Sequence, residues 1–389
     1  MNGDLLHALR REARAAPESG IVEVFNYGRG REGLIPLWAG EGDLPTPEFI
    51  YRASMRSLEA GETFYTWQRG IPELRAALAR YHERQFGRAF APGRFFVTGG
   101  GMQAIQIAIA ALAGTGDEVI VPSPAWPNFA AAAGISGASP VFVPLDFDGA
   151  RWALDIDRLL GAIGPATRAV FINSPSNPTG WTASLDELRA ILAEVRRRGL
   201  WIIADEVYNR YVYANERAPS FHDIADEGDR IIFVNTFSKN WAMTGWRIGW
   251  IGAPEALGPV IENLIQYSTS GVAAFMQRGA VAALEDGEDF VRMQVDRARR
   301  GRAILCEALA GSNRVRFAWP DGAFYLFFTI DGTEDTRALS LRLVDEAGIG
   351  IAPGTAFGPG GAPFLRICFA RKADDLEAAA ERLTGWLGS

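Results

Sequence analysis

The chain has 389 residues, 48% hydrophobic and 22% charged, a composition that fits a globular protein long enough for two domains. Its formal net charge of −7 argues against a nucleic-acid binder, which would carry a basic face, and gives no electrostatic grip on a membrane. Two cysteines, Cys306 and Cys368, and three scattered histidines, His7, His82 and His222, point to no disulfide framework and no metal centre.

Residues 1–14 are charged and lack the apolar stretch of a signal peptide, and no segment reaches the length of a membrane span. A cytoplasmic location is therefore expected. The Pro- and Gly-rich stretch 34–47 reads as extended chain lying along a small domain. From about residue 70 to 285, apolar runs alternate with amphipathic stretches. The runs predict strands at 95–98, 118–122, 140–145, 168–173, 200–205, 230–236 and 247–252, with helices such as 102–113 and 184–198 between them. That alternation argues for an α/β fold, a doubly wound domain with a mostly parallel seven-stranded sheet covered on both faces. Beyond it a long helix is expected at 292–309, then strands at 322–329 and 364–369 and helices at 336–347 and 373–387, a smaller α+β domain. The division expected is 48–288 for the large domain and 1–47 together with 289–389 for the small one.

Several junctions between these elements carry residue types suited to chemistry. Gly99-Gly100-Gly101-Met102 joins a strand to a helix, where backbone N–H groups and the helix dipole favour an anion, although glycine there also serves as a simple turn. Asn177 sits in a loop stiffened by Pro175 and Pro178. Asp205 ends an apolar strand, and an ionised carboxylate there needs a cationic or proton-donating partner, unless it merely caps a helix. Arg366 lies within an apolar strand and must find a fixed anion, either a substrate carboxylate or a structural ion pair.

Lys239 stands apart. Of 39 basic residues only Lys239 and Lys372 are lysines, and arginine can replace lysine as a charge but not as an amine nucleophile. Lys239 follows the strand at 230–236, at the sheet edge where open α/β sheets bind ligands. Its neighbours Thr236, Ser238 and Arg247 supply two hydroxyls and a fork of donors suited to a phosphate. Lys372, at the head of the last helix, reads as a solvated surface charge.

Together, Tyr65-Thr66-Trp67-Gln68-Arg69-Gly70-Ile71-Pro72-Glu73-Leu74-Arg75, the Gly100-Gly101 turn, Gly116-Asp117-Glu118-Val119, Asn177-Pro178-Thr179-Gly180, Asp205-Glu206-Val207-Tyr208 and Ser238-Lys239 through Arg247 resemble the class I/II aminotransferases. These are fold type I enzymes that use pyridoxal 5'-phosphate, and in motif style the chain is similar to the bacterial aspartate-type members, in register from about 37 to 369. The resemblance implies that Lys239 binds the cofactor covalently and acts as the base at the substrate Cα. Asp205 would keep the pyridine nitrogen protonated, Tyr208 and Asn177 would hydrogen-bond the ring oxygen, and Trp126 would stack on the ring. Gly100, Gly101 and Met102 at the turn would hold the phosphate with Thr236, Ser238 and Arg247, and with Tyr65 reaching across from the second subunit of a homodimer. Arg366 would clamp the substrate carboxylate, assisted by Gly40 and Asn177.

One departure bears on substrate. A lysine follows the glycine pair in the aspartate-type enzymes, whereas Met102 stands there in this chain and offers no charge to an acidic side chain. With the bulk of Trp67 nearby, the expectation is a ping-pong exchange between a neutral, aromatic or aliphatic L-amino acid and a 2-oxo acid such as 2-oxoglutarate, the latter calling for a further arginine at the pocket. Aspartate transamination, a cysteine-conjugate β-lyase with the same residues, and a non-catalytic cofactor-binding regulator are the alternatives. The regulator would need a DNA-binding domain, for which some 35 residues before the match are too few. Thr236 and Lys239 also share the Ser/Thr-x-x-Lys spacing of penicillin-recognising enzymes, but no Lys-Thr-Gly element accompanies them.

Overall fold

β-Branched and aromatic runs between residues 95 and 252 assemble into one sheet in the structure, a computed structural model that describes residues 2–388. Met1 and Ser389, at the outer ends of the expected small domain, lie outside the described residues. In chain order the strands are β1 (Ile35–Pro36), β2 (Phe95–Thr98), β3 (Glu118–Ser123), β4 (Ser139–Phe147), β5 (Trp152–Leu154), β6 (Thr167–Asn173), β7 (Trp201–Asp205), β8 (Ile231–Thr236), β9 (Gly249–Gly252), β10 (Val315–Phe317), β11 (Tyr325–Ile330), β12 (Ile349–Gly350), β13 (Ala352–Pro353) and β14 (Phe364–Cys368). The large sheet runs β2-β9-β8-β7-β6-β3-β4-β5. From β8 to β4 all neighbours are parallel, whereas β9 lies antiparallel between β2 and β8.

Alternate side chains of each central strand enter two different cores, as the pleat requires. Val119, Val121, Phe171 and Ile203 pack on one face with Ile105 and Phe129 of the helices Gly101–Leu112 and Pro127–Ile135. Ile120, Val170, Ile172 and Ile202 pack on the other with Leu188, Ile191 and Val195 of the helix Leu185–Arg198. Both faces being covered, the strands are buried along nearly their whole length, which is why they read as unbroken apolar runs. The helix Leu185–Arg198 begins at a capping box of Ser184 and Glu187 and ends at Gly199 with φ of 69°.

All seven strands expected for this sheet are present, and an eighth, β5, joins at the edge. It has three residues, too few for a periodic signal, and it pairs antiparallel with β4 while Trp152 stacks on Phe147 at 4.8 Å. After the helix Ala274–Asp286, the helix Glu288–Ala310 starts four residues before the expected position, because Glu288 and Asp289 suit the positive end of its dipole. The strand expected from 322 begins at Tyr325, since Ala323 takes a left-handed φ of 57° and its N–H bonds Tyr211 instead of the sheet. The second sheet, β10-β11-β14-β13, is antiparallel. The parallel pair β1 and β12 ties residues 35–36 to 349–350, so the extended stretch after Leu34 is fastened to the C-terminal part of the chain. No helix among the described residues is long and apolar enough to cross a membrane.

Candidate active site

Parallel strands β3, β6, β7 and β8 all end on the same edge of the sheet, and a cavity of about 500 Å3 opens there. The chain at the end of each strand delivers one or two side chains to it: Trp126 after β3, Asn177 after β6, Asp205 and Tyr208 from β7, Ser238 and Lys239 after β8. Gly40 and Arg366 close it from the other side. Lys239 lies in a single helical turn, Phe237–Asn240, whose N-cap Thr236 accepts a hydrogen bond from the Ser238 N–H. Its ammonium donates to the Gly40 carbonyl at 2.6 Å. Tyr211 Oη and Gln294 Nε2, the latter from the helix Glu288–Ala310, both donate to the Lys239 carbonyl and hold its backbone from two directions. Burial lowers the Lys239 pKa to about 8, so the amine is substantially neutral at mildly alkaline pH.

Asp205 is 3% exposed, and its carboxylate accepts one hydrogen bond, from the Val207 N–H at 3.3 Å. Among the described residues it forms no ion pair. Burial pushes its pKa up to about 7, against the smaller opposing effects of that hydrogen bond and of Lys239. Such a carboxyl is poised for a partner that brings its own proton. Tyr208 Oη and Tyr325 Oη lie 2.7 Å apart, and burial raises the Tyr208 pKa well above its usual value.

Arg366 decides between the two sequence readings of that residue. It is 2% exposed, yet among the described residues it pairs with no carboxylate and its Nε has no partner; it donates to Asn177 Oδ1 at 3.0 Å and to the Trp38 carbonyl. Tyr325 and Phe357 rings lie 4.5 and 4.9 Å from its guanidinium carbon. A buried guanidinium with no counter-charge among the described residues is suited to an anionic ligand.

Opposite, Gly100 has φ of 90°, and a Cβ there would come within 2.7 Å of an Arg247 Nη. Arg247 has no carboxylate partner among the described residues, and it precedes β9 with φ of 51° rather than starting that strand as the sequence suggested. Thr236 Oγ1 bonds Ser238 Oγ at 2.9 Å and the Ile248 carbonyl, not Lys239, which removes the support for a Ser/Thr-x-x-Lys pair. The N-terminal N–H groups of the helix Gly101–Leu112, the two hydroxyls and the Arg247 fork form an anion cradle beside the lysine. An amine, an isolated carboxyl and an anion cradle around one cavity are the donor set that pyridoxal 5'-phosphate requires, so the residues present fit that group.

Two expected contributors lie elsewhere. Tyr65 is 94% exposed and does not line the cavity of its own chain, and neither does Trp67. The further arginine expected for a dicarboxylate is also absent from the lining, where Arg247 and Arg366 are the arginines. Conversely, the sequence reading did not pick out Tyr325, Trp38, or Ile21, Val22 and Phe25 of the helix Gly20–Gly28, all of which line the cavity. Lys372 is exposed, 3.9 Å from Asp375, as expected of a surface charge.

A model of the family described as aminotransferase class I and II matches residues 32–383. The chain is 35% identical to an aspartate aminotransferase of Thermotoga maritima over 92% of both chains. It is 33% identical to an aromatic-amino-acid aminotransferase 2 of Thermococcus litoralis over 94% of both. The crystal structure of the Thermotoga maritima aspartate aminotransferase superimposes with a TM-score of 0.91 and 32% identity, covering 98% of this chain and 100% of that one.

Proposed function

Because the chain belongs to the class I and II aminotransferases, which depend on pyridoxal 5'-phosphate, we propose that it exchanges an amino group between a neutral, aromatic or aliphatic L-amino acid and a 2-oxo acid such as 2-oxoglutarate. The observation that carries the substrate class is the cavity lining. Apart from Lys239, Asp205 and the two arginines the lining carries no charged residue, and Met102, Ile105, Val22, Phe25, Trp38 and Trp126 give it a large apolar share. A dicarboxylate needs a cation at its far end, which a second copy of the chain would bring. Phe64, Tyr65, Trp67 and Tyr267 are strongly exposed, and a Gln68 to Gln266 hydrogen bond at 2.7 Å joins the two stretches that carry them. Exposed aromatic patches mark interfaces. They support a homodimer in which Tyr65 reaches the neighbouring subunit's phosphate cradle.

When bound, the cofactor withdraws electrons from the substrate Cα and makes its proton removable. Lys239 Nζ takes that proton on one side of the exchange and returns it on the other. Asp205 keeps a proton on the ring nitrogen; Tyr208 and Asn177 donate to the ring oxygen; Trp126 covers the ring and excludes water. Arg366, with Asn177 and the Gly40 backbone, fixes the substrate carboxylate so that Cα–H faces the amine. Gly100, Gly101, Met102, Thr236, Ser238 and Arg247 hold the phosphate. Residues 48–288 would form the cofactor-carrying domain, with 1–47 and 289–389 closing on it. The free, buried thiols of Cys306 and Cys368 suit a cytoplasmic location.

The test is a titration of the cofactor-loaded protein with single amino acids and no oxo acid. Leucine, phenylalanine and similar donors should bleach the visible absorbance, and so should glutamate, the amino form of 2-oxoglutarate, while aspartate should not; activity confined to aspartate and glutamate would defeat the substrate assignment. Release of pyruvate and ammonia from a cysteine conjugate would favour a β-lyase. Met102→Lys should raise kcat/KM for aspartate relative to leucine by about tenfold or more, the worth of one charge-assisted hydrogen bond. Gly100→Ala forces a Cβ against Arg247 and should weaken cofactor binding by about tenfold in equilibrium dialysis, by the same measure of one lost contact.

A further inference from the structure

Beside the cavity that holds Lys239 lies a second one of about 430 Å3, bounded by residues 12–19, the helix Pro127–Ile135 and the loop around Ala356. Ser19, Trp126 and Asn128 line both cavities. The roof is tied down at both ends: Ser19 Oγ accepts from the Val22 N–H, and Arg10 donates to the Ile135 carbonyl. Its walls include Ala130, Ala131, Gly134, Ile135, Pro140 and Phe142, an apolar surface. At the junction stands Asn128, exposed, whose side chain makes no hydrogen bond within the described chain and is free to turn aside.

We propose that the substrate side chain passes Asn128 from the first cavity into the second, so that the enzyme takes amino acids with apolar side chains longer than those of leucine or phenylalanine. This rests on the aminotransferase reading of the first cavity. Bound cofactor would take up part of that cavity and limit the room left for a side chain, while an adjoining apolar space of nearly equal size would otherwise stay open to water. Glu12 and Glu18 at the rim oppose an anionic end, which excludes long dicarboxylates from the same path. Asn128 acts here as a specificity-determining residue, offering its amide to a polar atom partway along the side chain or swinging clear of a methylene chain.

Straight-chain monocarboxylates from butyrate to decanoate, titrated into the cofactor-loaded enzyme by calorimetry, test this directly, since Arg366 anchors each carboxylate. Affinity should climb about fourfold per added methylene, without levelling off, as far as decanoate. Gly134→Phe fills the second cavity, and a Cβ at Gly134 meets nothing within 4 Å, so the variant should fold normally. It should hold butyrate affinity and the rate with alanine unchanged while stopping the climb near hexanoate. A plateau near hexanoate in the unmodified enzyme, or a climb indifferent to Gly134→Phe, overturns the proposal. Should alanine and phenylalanine leave the cofactor absorbance untouched, the aminotransferase reading itself fails and takes this proposal with it.

Discussion

Lys239→Gln is expected to lower kcat/KM for every amino donor by about 10⁴-fold or more, the upper range of what a positioned proton-transfer group supplies. Glutamine preserves the volume of the chain stem and a donor to the Gly40 carbonyl, so packing around Tyr211 and Gln294 stays as it is. Lys239→Arg should be as inactive, because the defect is loss of a neutral amine, not of charge. In the unaltered apoprotein, the rate at which Lys239 captures pyridoxal phosphate should rise with pH through about 8 and flatten above it, as deprotonation of the amine is completed. Stopped-flow absorbance measures this. A variant retaining a tenth of the activity would remove Lys239 from the reaction.

Asp205→Asn separates stability from catalysis. In the apoprotein the buried carboxyl binds its proton up to about pH 7, whereas in the unfolded chain it releases it near 3.8. Its protonated form is the one the fold tolerates, so the apoprotein loses stability as pH rises from about 4 to about 7, by roughly 4 kcal/mol in all. Asparagine cannot ionise. The Asp205→Asn apoprotein should therefore melt higher than the unaltered apoprotein at pH 8 and alike at pH 4. The loaded enzyme should behave oppositely: without the carboxylate the ring nitrogen loses its proton, and kcat should fall about 10²- to 10⁴-fold, the consequence of removing one partner from a buried ion pair. Equal melting at pH 8 with full activity would show that Asp205 does not face the ring.

Much of this candidate site is legible in the sequence because Asp205, Tyr208, Asn177, Trp126 and Lys239 lie at the end of a strand or within four residues beyond it, where strand ends are easy to find. Asp205 after Trp201-Ile202-Ile203-Ala204 and Lys239 after the Ile231–Thr236 strand are found in this way. Tyr325 is not, because it lies inside an apolar strand where a tyrosine looks like packing; only the pairing of β11 with β14 sets it beside Arg366. Val22 and Phe25 escape for a different reason. Their helix reaches the cavity because β1 pairs with β12, a contact across more than 300 residues that no local pattern encodes. Tyr65 is 94% exposed and lies outside the cavity of its own chain, so nothing within one chain marks it as part of the site.

The near absence of lysine has a practical corollary for covalent labelling. Acylating reagents find two lysine side chains, and they differ sharply: Lys372 stands in solvent beside Asp375, while Lys239 lines the cavity and, on the proposed reading, would be blocked by bound cofactor. An activated ester added to the loaded enzyme would thus place a dye or a surface tether on Lys372 among the lysines, at the head of the helix Ala373–Gly388. Coupling through that point would orient immobilised molecules uniformly and leave the cavity mouth unmodified. The same reagent added to the stripped enzyme would mark both positions, and the ratio of the two labels would serve as a direct count of empty sites.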